Sequence, residues 1–155
     1  MTDLTEMDVL QRLAMALLVA VAFGINRNLH NRAAGVRTLS LVALSTAGLV
    51  IAMRWIAPGN LDALTRTIQG IVSGIGFIGA GVILHRQASV NVVGLTTAAM
   101  VWFVAALGIL CGLGLIELVA IISAFAAIAL TIGRPLERWV YLRLRRHSTT
   151  PDANP

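Results

Sequence analysis

The chain has 155 residues, of which 57% are hydrophobic and 12% charged, a balance too apolar to give a compact domain a polar surface. A bilayer is therefore its natural solvent, and the length suits one compact domain of about five spans. Its 12 basic residues, all of them arginine, outnumber 7 acidic ones, but they flank apolar runs and lack a soluble platform, which argues against a nucleic-acid-binding module.

The leader MTDLTEMD carries three acids and no arginine, whereas a cleavable signal peptide starts positive, so the first apolar run is expected to stay as an anchor. Apolar length marks spans at roughly Val9 to Asn26, Thr38 to Ala57, Arg66 to Leu84, Val93 to Cys111 and Leu115 to Ile132. Each is near the ~20 residues that a helix needs to cross about 30 Å. The expected fold is all-α, a bundle of about five transmembrane helices.

Within the third span, VSGIGFIGAGVIL places four glycines in the thirteen residues Val72 to Leu84. Glycine is costly inside a helix, so this density predicts close backbone packing or a deliberate break. At about 100° per residue, Gly70, Ser73, Gly74, Phe77 and Gly81 share one face, and Gly76 and Ala80 a neighbouring one. Intramolecular packing is the expected use of Gly70, Gly74, Gly76, Gly79 and Gly81; the GxxxG pair Gly70 and Gly74 also leaves a homodimer open. Gly74, Ile75, Gly76 is no dinucleotide fingerprint, because no βαβ context surrounds it.

Only Gly112, Leu113 and Gly114 separate the last two spans. A re-entrant segment fits that link less well than a tight helical hairpin, since the combined run is long enough for two crossings. Cys111 lies in an apolar run and reads as packing. Beyond it, GRPLERWVYLRLRRH holds five arginines with Trp139 and Tyr141 and suits a helix lying on an anionic leaflet, followed by the disordered tail STTPDANP. The domain division expected is a five-span domain at 1–133 and a basic juxtamembrane segment with tail at 134–155.

Arginine placement predicts orientation. With the Arg27 to Arg37 loop, the His85 to Val92 loop and the tail in the cytoplasm, nine arginines lie inside and three (12, 54, 66) outside. The positive-inside rule then sets the N-terminus outside and the C-terminus in the cytoplasm. This topology gathers Asn26, Arg27, Arg37, Thr38, Ser40, Thr96 and Thr97 near the cytoplasmic face, with Ser73 and the glycines of the third span. A polar cluster lined by glycine backbone is what a small binding site or a partner-facing vestibule requires. Arg27 and Arg37 are suited to an anionic group, a lipid phosphate or a partner's carboxylate. On the outer side, Asp62 and Arg66 are spaced to pair at i, i+4.

RAAGVRTLSLV at Arg32 to Val42, SGIGFIGAGVIL within Arg66 to Leu84, and VGLTTAAMVW at Val93 to Trp102 stand in the usual order of the MgtC/SapB family of bacterial inner-membrane proteins, which the chain resembles from about Gly24 to Gly114. The resemblance implies a multi-pass protein of the cell inner membrane, associated with magnesium limitation and, in some bacteria, with virulence and survival inside macrophages. Regulation of other membrane machinery, the ATP synthase included, belongs to that picture. The chain also departs from the family pattern. Where the family has G-x-E-R, Gly24, Ile25, Asn26 and Arg27 put Asn26 in place of the glutamate. Where it has D-P-x-R, Ala63, Leu64, Thr65 and Arg66 follow an Asp62 displaced by one. The family's glutamine falls on Gly70, beside Gln69, and the soluble C-terminal domain of many members is not expected here.

Mg²⁺ takes a strict octahedral oxygen shell, usually with one or two carboxylates. Glu117, at the outer start of the fifth span, is the one acid within the spans, and the arginine-rich inner cluster repels cations. No cofactor is expected, although Mg²⁺ stays open. His30, His85 and His147 are far apart and no nucleophile context appears, so enzyme chemistry is not expected. The expected function is modulation of a membrane partner in adaptation to low magnesium; the alternative is a transporter or channel for Mg²⁺ or another ion. Expected partners are membrane lipids, another inner-membrane protein or complex, and a second copy of the chain.

Overall fold

The computed structural model describes residues 4–29, 33–84 and 94–145. Residues 30–32 of the loop expected at Arg27 to Arg37, the whole of the one expected at His85 to Val92, all three histidines, the first residues of the leader and the tail beyond Arg145 lie outside the described residues, as do the side chains of Leu84, 134–142, 144 and 145. Five helices follow one another: α1 (Glu6–Leu29), α2 (Val36–Ile56), α3 (Leu61–Leu84), α4 (Leu95–Leu113) and α5 (Ile116–Arg145). All five are long and apolar enough to cross a membrane, and no strand occurs among the described residues.

Local chemistry sets the helix ends. Thr5 and Asp8 form a reciprocal capping box at the start of α1: the Asp8 N–H donates to Thr5 Oγ1 at 3.2 Å and the Thr5 N–H donates to Asp8 Oδ2 at 3.0 Å. α2 stops before Pro58 and Gly59, the latter in the left-handed region at φ 78°. Asn60 then caps α3, its Oδ1 accepting the Ala63 N–H at 3.0 Å, so this helix begins five residues ahead of the expected Arg66. Gly114, at φ 84°, ends α4: its own N–H donates to Cys111 O and that of Leu115 to Leu110 O. That is the Schellman arrangement, and it turns the chain directly into α5 as a helical hairpin.

The span expected at Leu115 to Ile132 matches the membrane-length stretch Ile116–Gly133 of α5, and the helix runs on without a break through Pro135 to Arg145. The proline removes one backbone donor, but the Leu, Glu and Arg residues that follow are strong helix formers and carry the helix on. A compact unit ending at Val119 holds α1 to α4 and the first turn of α5; the rest of α5, from Ala120, belongs to a second unit.

Within the first unit α4 is the central helix, packed by α1, α2 and α3. Leu39 and Val50 of α2 and Val101, Val104, Leu107 and Cys111 of α4 are fully buried, and Phe23 of α1 meets Phe103 edge to face at 5.3 Å between centroids. Lipid is as apolar as leucine, so helices associate here through close van der Waals contact instead of water exclusion. Gly108 and Gly112 of α4 provide it. A Cβ on Gly108 would lie 2.6 Å from Ala43 O, and one on Gly112 would lie 2.7 Å from Ala47 O, so the α2 backbone rests directly on these glycines. Facing outward, Phe77 and Ile56 are 84% and 79% exposed, the surface expected of a bundle solvated by acyl chains.

Candidate functional site

One end of the bundle is closed by Arg27, in the last turn of α1. One turn earlier, Gly24 lets α2 begin against α1: a Cβ there would lie 2.6 Å from Val36 Cα. This approach brings the backbone of Ala34 within reach, and Arg27 Nε donates to Ala34 O at 2.9 Å. Across the junction, Arg27 Nη2 donates to Thr97 Oγ1 in the first turn of α4. Arg27 is 6% exposed, so one buried side chain ties α1, the start of α2 and α4 together. α3 joins the same end through Gly94, held at φ 109° ahead of α4, where a Cβ would lie 2.9 Å from Val82 O. Burying a guanidinium costs several kcal/mol unless hydrogen bonds satisfy it, so these acceptors are what make Arg27 tolerable.

Of the residues expected in the inner cluster, Arg27 and Thr97 meet. Asn26, Arg37, Thr38 and Thr96 are exposed around that junction. Ser40 is half-buried on α2, and its Oγ has no hydrogen-bond partner among the described residues. Ser73 is not part of the cluster: it is exposed on α3, eleven residues before Leu84 and so about 16 Å away along the helix axis. Among the glycines expected to pack, a Cβ on Gly79 would lie 3.6 Å from Ala98 Cβ, while Cβ atoms at Gly70, Gly74, Gly76 and Gly81 would meet open space. Asp62 and Arg66 are both exposed and form no ion pair among the described residues, since ordering two long side chains in solvent offsets a weak attraction. Glu117 is exposed in the first turn of α5.

A model of the MgtC family matches residues 13–139, a stretch that holds all the helical junctions just described. The chain belongs to the MgtC family. It is 41% identical over 143 residues to the protein SrpB of Synechococcus elongatus, covering 85% of this chain and 78% of that one. With the protein MgtC of Brucella abortus the identity is 41% over 124 residues, covering 80% and 50%; with that of Salmonella typhimurium it is 43% over 102 residues, covering 66% and 42%. The chain thus spans about half the length of the Brucella MgtC protein. No solved structure gives a significant match.

The opposite end of this MgtC-family bundle holds two functional groups that sequence reasoning did not single out. Arg12 of α1 donates through Nη1 to Gly112 O at 2.7 Å, and Arg54 of α2 donates through Nη1 to Leu113 O at 2.9 Å. Both guanidiniums satisfy carbonyls that the end of α4 leaves without intrahelical partners. A signal for them existed: the antiparallel topology puts Arg12, Arg54 and the Gly112 to Gly114 turn at one level, and helix carbonyls near a membrane boundary need donors.

Proposed function

We propose that this MgtC-family membrane protein acts by binding, modulating a membrane partner during adaptation to low magnesium. The observation that carries the proposal is the Arg27 junction: a buried guanidinium locks the helices, and Asn26, Arg37, Thr38 and Thr96 stand exposed around it. A closed junction with a polar rim suits docking better than conduction. Arginine and amide donors on that rim complement a carboxylate or phosphate on a partner. A Mg²⁺ path would need oxygen ligands, carboxylates foremost, whereas the buried polar side chains of the described bundle are Arg27, Thr46 and Thr97. These residues do not fit a hydrated divalent cation, and Arg27 repels one.

Arg37→Glu reverses an exposed charge without touching the core. The variant is expected to lose complementation of a low-magnesium growth defect at unchanged membrane levels, and a photo-crosslinker at Thr38 is expected to capture an integral membrane protein. Full complementation by Arg37→Glu, with no crosslinked product, overturns the proposal. Saturable Mg²⁺ uptake by proteoliposomes of the purified protein replaces it with a transporter.

A further inference from the structure

At the Arg54 end of the bundle lies a cavity of about 510 Å³, lined chiefly by Arg54, Trp55, Pro58, Asn60, Leu64 and Leu113. Its floor is a defined turn rather than a loose loop. The Ala57 N–H donates to Met53 O at 3.0 Å, the Asn60 N–H donates to Ala57 O at 3.2 Å, and Asn60 Oδ1 caps α3. The volume falls within the ~300 to 1,000 Å³ that small-molecule sites occupy.

Its charge calls for an anion. Arg54 uses Nη1 on Leu113 O, which leaves most of a five-donor fork available on the cavity side of α2. Arg12 bonds the neighbouring carbonyl, so two guanidiniums repel each other across adjacent residues of α4. Asp8 draws on Arg12 from one turn away, yet neither arginine is ion-paired among the described residues, and Asp62 does not line the cavity. Asn60 adds amide donors, because its Oδ1 is the atom that caps α3. Leu4, Met53, Leu61, Leu64 and Leu113 supply apolar wall, and Trp55, 56% exposed, belongs to the belt where indole rings sit at the headgroup level.

We infer that this cavity binds a phosphate-bearing anion, held by Arg54 and Asn60, with the apolar wall taking the first methylenes of a phospholipid's acyl chains. Guanidinium and phosphate match in a bidentate pair, and a single anion relieves the repulsion between Arg54 and Arg12.

Trp55 reports the site directly once Trp102 and Trp139 are replaced by phenylalanine. In nanodiscs, brominated phosphatidylglycerol is expected to quench Trp55 at roughly a tenth of the lipid fraction that brominated phosphatidylcholine needs. Arg54→Gln, which keeps a donor for Leu113 O, removes that preference; so does Leu64→Asp, which sets a carboxylate on the cavity wall against the anion. A second arm adds inorganic phosphate to phosphatidylcholine discs. A saturable change in Trp55 emission, absent from Arg54→Gln, identifies a soluble phosphate as the source, and quenching by phosphatidylglycerol alone identifies the lipid. Equal quenching by both lipids with no response to phosphate overturns the site, as does a preference that survives in folded Arg54→Gln and Leu64→Asp.

Discussion

Thr96 and Thr97 are neighbours in sequence with opposite surroundings, exposed and buried, and the difference is testable. Thr97→Val keeps the shape of the side chain but leaves Arg27 Nη2 facing a methyl group. Losing one buried hydrogen bond to a charged group costs about 1.5 to 3 kcal/mol, whereas an exposed substitution stays within roughly 0.5 kcal/mol. Unfolding in mixed detergent should therefore show Thr97→Val clearly destabilised and Thr96→Val close to wild type. Because Arg27 and Thr97 touch, the double variant Arg27→Met/Thr97→Val should lose less than the two single losses combined. Equal effects at the two threonines, or strict additivity in the cycle, would remove Arg27 from its place as the tie between α1 and α4.

Helices α2 and α4 meet through Gly108 and Gly112 on one side and Ala43 and Ala47 on the other, two small residues four apart on each. Gly108→Ala and Gly112→Ala drive a methyl group into backbone carbonyls and should each cost about 1 to 3 kcal/mol or more, while Gly74→Ala meets open space and gains roughly 0.5 to 1 kcal/mol of helix preference. Thermal melts of the three variants in one detergent check this; a Gly74→Ala loss as large as that of Gly112→Ala would mean that α3 has a close neighbour on that face. The contrast also marks what the sequence made legible. Apolar length revealed five helices, because the bilayer thickness and backbone hydrogen bonding leave few alternatives. Asn60, Gly114 and the Thr5 to Asp8 box mark helix ends by local chemistry alone. Glycine density, however, drew attention to α3, where most of the glycines face outward, and away from the sparser pair on α4. Density is a property of one helix and contact a property of two, so a single sequence reveals it only when the partner's small residues are matched to it. Arg27 and Thr97 were legible because topology put both at one end; the exposure of Arg37 and Thr38 depends on the rotation of α2, which topology does not set.

At the scale of the whole molecule, the charge pattern and the packing bear on one question, which end of the bundle faces the cytoplasm. Three arginines oppose the majority of nine, and two of these three, Arg12 and Arg54, are engaged on the carbonyls that close α4. Their presence at that end follows from helix termination, as that of Arg27 at the other end follows from its buried junction, so the remaining imbalance is eight against Arg66 alone, a stronger bias than the raw count. The Pro58 to Asn60 turn should then face outward and the start of α2 inward. With Cys111 replaced by alanine, Pro58→Cys is expected to react with a membrane-impermeant maleimide on intact cells, and Ala33→Cys only after permeabilisation; both positions are exposed, so neither result depends on opening the bundle. The reverse pattern would invert the topology and move the Arg27 junction, with its rim of Asn26, Arg37, Thr38 and Thr96, to the outer face. A partner at that face would have to meet it from outside the cell membrane, and the cavity beside Arg54 would draw its phosphate from the cytoplasmic leaflet, where anionic lipid and soluble phosphates are both at hand.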